Sequence, residues 1–294
     1  MQPVVGWLVA RPQNAVIGLA ATLMLPLAQV LSGAVMVVLV LQQGLRMALL
    51  EGAGALALLA GVSLLINAPL AQLLLNALVS WMPVMLLATV MLRSRSLTLA
   101  LQAAAMLAIV VTLGFFVVLD DPTVFWSEVL GQFAAFLDGL GLTQQAELLT
   151  AQTAVLAPQM TMVFVSSGWL VIVVVLALGY SLYRALPGKG AMFGRFRDLN
   201  LGRVLASTVA VASVAAGLAG TDWLQNVAFV AFVIFWIHGL AIVHWLHLER
   251  GMHVALVFGA YALMLLLSAP LIIALAVVGY TDAWFDFRNR MKRA

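Results

Sequence analysis

Between Pro12 and Leu45 the chain carries no charged residue, and between Gly52 and Leu92 it again carries none. Runs of that length leave few folds open. A bilayer core of about 30 Å takes roughly 20 apolar residues as a helix, so each run is too long for one upright crossing and long enough for two. Lipid offers the backbone no hydrogen bonds, so a spanning segment must be a helix or part of a closed barrel. These runs lack the alternation of barrel strands. Hydrophobic residues make up 65% of the chain and charged residues 9%, against roughly a quarter charged in soluble domains. The expectation is an all-α, polytopic transmembrane helical bundle of about eight or nine membrane segments, with an external amphipathic helical loop.

Several functions are excluded early. Cysteine is absent, which removes disulfides, thiolate catalysis and cysteine metal sites. The formal net charge is +3 and the bases adjoin hydrophobic segments, so they mark membrane orientation rather than nucleic-acid binding. Pro187-Gly-Lys-Gly190 lacks the order of a phosphate loop. The N-terminus has neither the charged start nor the cleavage site of a signal peptide, so its first apolar segment is expected to be retained as a membrane helix.

Loop charges supply the topology. Arg184, Lys189, Arg195, Arg197 and Arg203 face the single acid Asp198 in one loop, which the positive-inside rule places in the cytoplasm. It follows a six-helix module over residues 1–183. Pro26, Ser32 and Gly33 interrupt the first apolar run. Two short helices, about 14–25 and 28–41, fit it, as does one long tilted helix. Helices over 47–66 and 69–92 follow, broken at Asn67-Ala68-Pro69, and a fifth covers 97–119. Residues 120–159 hold five acids and no base, consistent with an external loop. There Asp121-Pro122 reads as an N-cap with proline at the first helical position. Trp126, Val129, Leu130, Phe133, Leu137 and Leu140 then recur at helical spacing, as in a helix on the outer leaflet or lidding the bundle. A second helical stretch, 144–156, precedes a sixth membrane helix at 160–183.

Within the basic loop, residues 184–203, Met192, Phe193, Phe196 and Leu199 suggest a segment resting on the anionic inner surface. The C-terminal membrane helices occupy 204–280, as segments 204–220, 227–246 and 254–280, the last with a kink at Ser268-Ala-Pro270. A basic-aromatic tail, 281–294, closes the chain. Three full crossings would put Arg288, Arg290, Lys292 and Arg293 outside, against the rule. A re-entrant 204–220 keeps the tail in the cytoplasm and misplaces only Arg250, so charge counting favours it, although a 17-residue helix rich in Ala, Ser and Gly is long enough to cross.

Candidate functional residues are few. No HExxH, GxSxG or Cys/His cluster is present, and no enzyme activity, cofactor or metal is expected. His238 falls near the bilayer centre, where an ionisable residue is a functional candidate by default or a neutral imidazole bonding a neighbouring helix. His244, His247, Glu249 and His253 form an interfacial cluster. Gln72, Asn76 and Ser80 repeat every four residues, a stripe that should face the bundle interior or a cavity. Ser166 and Trp169 share a face of the sixth helix. These two faces could line a pocket for a small ligand, or simply bond neighbouring helices. Ala53, Ala57 and Gly61 make a small-residue stripe suited to close helix contact, within the chain or with a partner.

The ending Gly279-Tyr280-Thr281-Asp282-Ala283-Trp284-Phe285-Asp286-Phe287-Arg288 resembles that of the YybS-like family of uncharacterised bacterial multi-pass membrane proteins. The first six segments resemble the substrate-binding subunits of energy-coupling factor vitamin transporters in four respects. These are a broken first hairpin, a Gly/Ala-rich third helix, the break at Asn67-Ala68-Pro69, and the turn with Arg93 and Arg95. That likeness implies ligand entry from outside, with Asn67, Gln72, Asn76, Ser166 and Trp169 as ligand-binding candidates. The long acidic loop and the C-terminal segments depart from the pattern. The expected protein is a bacterial inner-membrane protein that binds or helps transport a small molecule. The alternative is a non-catalytic scaffold or assembly factor. It would dock a membrane protein partner, or a second copy, through Ala53, Ala57, Gly61, Trp284 and Arg288.

Overall fold

The computed structural model describes residues 2–25, 28–66, 69–266 and 268–293. Among these residues the regular structure is helical: α1 (Gln2–Ala10), α2 (Pro12–Leu23), α3 (Ala28–Gln43), α4 (Leu45–Ile66), α5 (Leu70–Ser94), α6 (Leu97–Val118), α7 (Pro122–Gly139), α8 (Thr143–Leu156), α9 (Met160–Arg184), α10 (Gly202–Ala219), α11 (Asp222–Arg250), α12 (Ala255–Leu266), α13 (Ser268–Phe285) and α14 (Phe287–Arg293). Six stretches are long and apolar enough to cross a membrane: α4, α5, α6, α10, α11 and the run that ends in α9. The chain is a helical membrane protein. It divides into two compact units, Met1–Ala104 with Leu170–Phe196, and Ala105–Trp169 with Arg197–Ala294.

In the first unit the opening apolar run forms two helices, α2 and α3, rather than one long one; the break expected at Pro26 lies outside the described residues. They pack on α4, and α3 also packs along α5. Trp81 on α5 donates its indole N–H to Ser32 Oγ at 2.8 Å, which satisfies two polar groups that lipid would leave bare. After α9 the chain folds back on itself. The Tyr180 hydroxyl accepts from the Phe193 amide at 3.2 Å and donates to the Gly194 carbonyl at 2.8 Å. Phe193 is buried against the rings of Tyr180 and Tyr183, its carbonyl accepting from Leu97 N at 2.7 Å. Phe193, and Leu199 in the other unit, are thus core residues rather than part of a strip lying on the lipid surface; only Met192 of that set is largely exposed.

The second unit contains the acidic loop, which is a helical hairpin. Asp121 caps α7 as its sequence predicts, its carboxylate accepting from Thr123 N at 2.8 Å with Pro122 in the first turn. Trp126 and Leu130 face inward. The Trp126 ring stacks on Phe115, and its indole N–H donates to Thr161 Oγ1 at 2.8 Å, so it fastens the hairpin to the adjoining ends of α6 and α9. Phe133 and Leu140, on the same helical stripe, lie beyond that anchor and are exposed.

The rest of the second unit bears on the conflict between helix counting and charge. α11 and α13 run parallel: Phe235 meets Gly279, His238 meets Asp282, and Arg250 bonds the Met291 carbonyl. Between them α12 descends antiparallel to α11, His244 lying 3.1 Å from the Tyr261 hydroxyl. The segment expected as one kinked helix is therefore a doubled-back pair, α12 of about 18 Å and α13 of about 27 Å at 1.5 Å per residue. α10, at 18 residues, is long enough to cross in full. With α12 and α13 doubling back, Arg197, Arg250 and Arg288 gather at one end without a re-entrant 204–220. The Arg197–Glu249 pair at 2.8 Å and the bond from Arg288 to Leu199 O hold them there. In the cysteine-free chain, Asp222→Cys should react with a membrane-impermeant thiol reagent from outside and Ala294→Cys should not. Protection of both positions would restore the re-entrant α10, and outside labelling of position 294 would refute the doubled-back pair.

Candidate functional site

The site of densest polar chemistry is built where α11 crosses α13. Two glycines permit the crossing. A Cβ at Gly239 would strike the Leu275 carbonyl, and one at Gly279 the Phe235 carbonyl, so only hydrogen lets the backbones meet. That approach brings His238 of α11 against Asp282 of α13, both at 0% exposure.

Arg288 of α14 completes the cluster at 6% exposure. Its Nε donates to Asp282 Oδ2 at 2.9 Å, Nη1 to the Arg197 carbonyl at 2.9 Å, and Nη2 to the Leu199 carbonyl at 2.6 Å. Arg288 Nη2 is also 2.8 Å from His238 Nε2, which in turn lies 3.1 Å from Asp282 Oδ2. One ring nitrogen cannot accept from a guanidinium and donate to a carboxylate at once. Either His238 is protonated on Nδ1 and accepts from Arg288, or it is protonated on Nε2 and donates to Asp282. Among the described residues Nδ1 and Asp282 Oδ1 have no partner. The first tautomer leaves a buried N–H unpaired and the second only a lone pair, a smaller penalty set against the opposed Arg288 donor.

Beside this cluster, at the C-terminal ends of α11 and α13, lies a cavity of about 260 Å³ lined by Asp198, Asn200, Trp245, Asp286, Arg288 and Asn289. It is somewhat smaller than the roughly 300–1,000 Å³ typical of drug-sized ligand sites. Trp245 is 1% exposed and its indole N–H has no acceptor among the described residues. Asp286 has φ +51°, so the chain turns there between α13 and α14 and folds Asn289 back to donate to its carboxylate at 2.7 Å.

Of the sequence candidates, the structure brings His238 and Arg288 together. Arg288 was expected on a docking tail, but it is held inside the unit, because residues 281–285 continue α13 instead of starting a tail. Trp284 is half-buried and edge-on to Tyr280. Gln72 and Asn76 are exposed rather than turned to an interior or cavity. Of that stripe only Ser80 is buried, and its hydroxyl bonds the Asn76 carbonyl at 2.6 Å. Asn67 lies outside the described residues. Ser166 Oγ and Trp169 Nε1 are buried without a partner among the described residues, and these two side chains belong to the second unit while Gln72 and Asn76 belong to the first. Ala53, Ala57 and Gly61 are exposed. His247 donates to the Met252 carbonyl and His253 accepts from Ala255 N, each within its own turn.

Sequence reasoning missed Asp282, Asp198, Trp245 and Asp286. The signal for Asp282 was its apolar context, Ala283-Trp284-Phe285, which extends the last helix past Tyr280. It also missed Glu51, 3% exposed on α4 with both carboxylate oxygens within 3.1 Å of Gln43 Nε2. No family model, curated protein or solved structure matches this chain.

The cluster makes a stability prediction. Asp282→Leu strands a buried guanidinium and should cost roughly 3–5 kcal/mol, whereas Asp282→Leu with Arg288→Leu should cost less than the sum of the singles. Unfolding midpoints in mixed micelles measure this. Strict additivity would show that the two charges are not coupled.

Proposed function

We propose that this is a non-catalytic membrane protein of the bacterial inner membrane that binds a small polar molecule and helps carry it. The observation that supports the reading is the cavity beside the His238–Asp282–Arg288 cluster, walled by an indole, two carboxylates, two amides and a guanidinium. Convergent polar groups around a concave space are what a ligand site needs, and ionisable groups buried among membrane helices commonly mark pathways for solutes or protons. The positive-inside rule, applied to the basic loop, supports a cytoplasmic position for this end of the second unit. Native mass spectrometry of the full chain, after incubation with a polar metabolite extract, should show a bound small molecule. Asn289→Trp, a bulky change at an exposed rim position, should reduce that occupancy at least tenfold. An unoccupied wild-type protein would overturn the reading.

The exposure of Ala53, Ala57 and Gly61 favours a second role as a scaffold. Among the described residues no neighbouring heavy atom lies within 4 Å of a Cβ built at Gly61, so that end of the stripe is open to another backbone. Ala57→Cys should form a disulfide-linked dimer in membranes if the partner is a second copy. A persistently monomeric product would remove the self-association form of this reading.

A further inference from the structure

We infer that the cavity selects a small ammonium compound that also carries an oxygen acceptor; this rests on the reading of the cavity as a ligand site. The lining charges are Asp198, Asp286 and Arg288. Arg288 is a poor partner for an anion, because its charge is already met by Asp282 and each guanidinium nitrogen already makes a bond, to Asp282, to the Arg197 carbonyl or to the Leu199 carbonyl. Its charge is balanced by Asp282, which lies behind it. The two remaining carboxylates have no such balance. Neither Asp198 nor Asp286 takes part in an ion pair among the described residues, and Asp286 has only the neutral amide of Asn289.

Two of the nearby bases are engaged elsewhere. Arg197 pairs with Glu249, and Arg250 lies over the Trp245 ring and bonds the Met291 carbonyl. A cation entering the cavity therefore meets two carboxylates that have no ion pair among the described residues, whereas an anion meets those two carboxylates and a guanidinium already paired with Asp282. The Trp245 indole supplies the second element of recognition. It is a buried donor with no acceptor among the described residues, and leaving such a donor bare costs about 1–3 kcal/mol. An oxygen on the ligand would satisfy it, and the Asn200 and Asn289 amides line the same cavity.

Three chain-matched probes separate the outcomes: 6-aminohexanol, 1,6-hexanediol and 6-hydroxyhexanoate, titrated against the full chain in phosphatidylcholine nanodiscs by saturation-transfer NMR. The inference expects saturable binding of 6-aminohexanol alone, weakened at least tenfold in Asp198→Asn and in Asp286→Asn. Should Asp286→Asn misfold, Asp198→Asn and the ordering of the three probes on wild-type protein still decide the matter. Stronger binding of the diol or the carboxylate would overturn the ammonium class while leaving the cavity a ligand site. Binding of 6-aminohexanol that both variants leave unchanged would place it elsewhere and overturn the inference. If no probe binds, the inference falls, and the metabolite-extract measurement decides separately whether the cavity is a site.

Discussion

A guanidinium at 6% exposure among membrane helices needs a counter-charge and acceptors for its protons, and the second unit is arranged to supply both to Arg288. Asp282 neutralises it, and the carbonyls of Arg197 and Leu199 each accept a further N–H. Those partners come from two stretches of chain separate from α14. The consequence is architectural: the loop before α10, the end of α13 and the short helix α14 are tied to one side chain. His238 joins from α11 because Gly239 and Gly279 let that helix come within backbone contact. Cavity, loop and histidine thus have a common origin in one buried charge.

The helices were largely legible in the sequence, because uncharged length and helical spacing are local signals. Asp121-Pro122 announced its own helix, and Trp126 with Leu130 announced the face it buries. His238 stood out by depth alone. Its partner did not, since Asp282 is 44 residues away along the chain and no period connects them. The ending was misread because the bases after residue 287 made it resemble a solvated tail; the physical decision was made earlier, by Ala283-Trp284-Phe285, which keep α13 going. Exposure was the other failure. A polar stripe such as Gln72 and Asn76 should be costly against lipid, yet both are exposed, and Phe193, read as a membrane-surface residue, is held in the core by a tyrosine hydroxyl. Burial depends on what each face meets, which one sequence does not state.

Topology shows how two local facts combine. Counting charges alone required α10 to turn back, and counting helices alone expelled the tail. Splitting the last apolar segment into α12 and α13 meets both requirements, because a short descending helix and a longer ascending one return the chain to the end it left. Arg250, the one residue misplaced by the re-entrant arrangement, then lies with the other bases, beside Glu249, Arg197 and Met291.

The glycine crossing also restricts motion. Where two helices touch through side chains, they can roll or slide as rotamers exchange. Where Gly239 and Gly279 set backbone against carbonyl, there is no such give, and the cluster beside the crossing resists rotation as well. α11 and α13 therefore behave as a fixed post. α10 is the less enclosed partner, with 28% of its spanning window buried against 61% for α11. It begins immediately after the loop that Arg288 fastens, so its first turn is tied to that post.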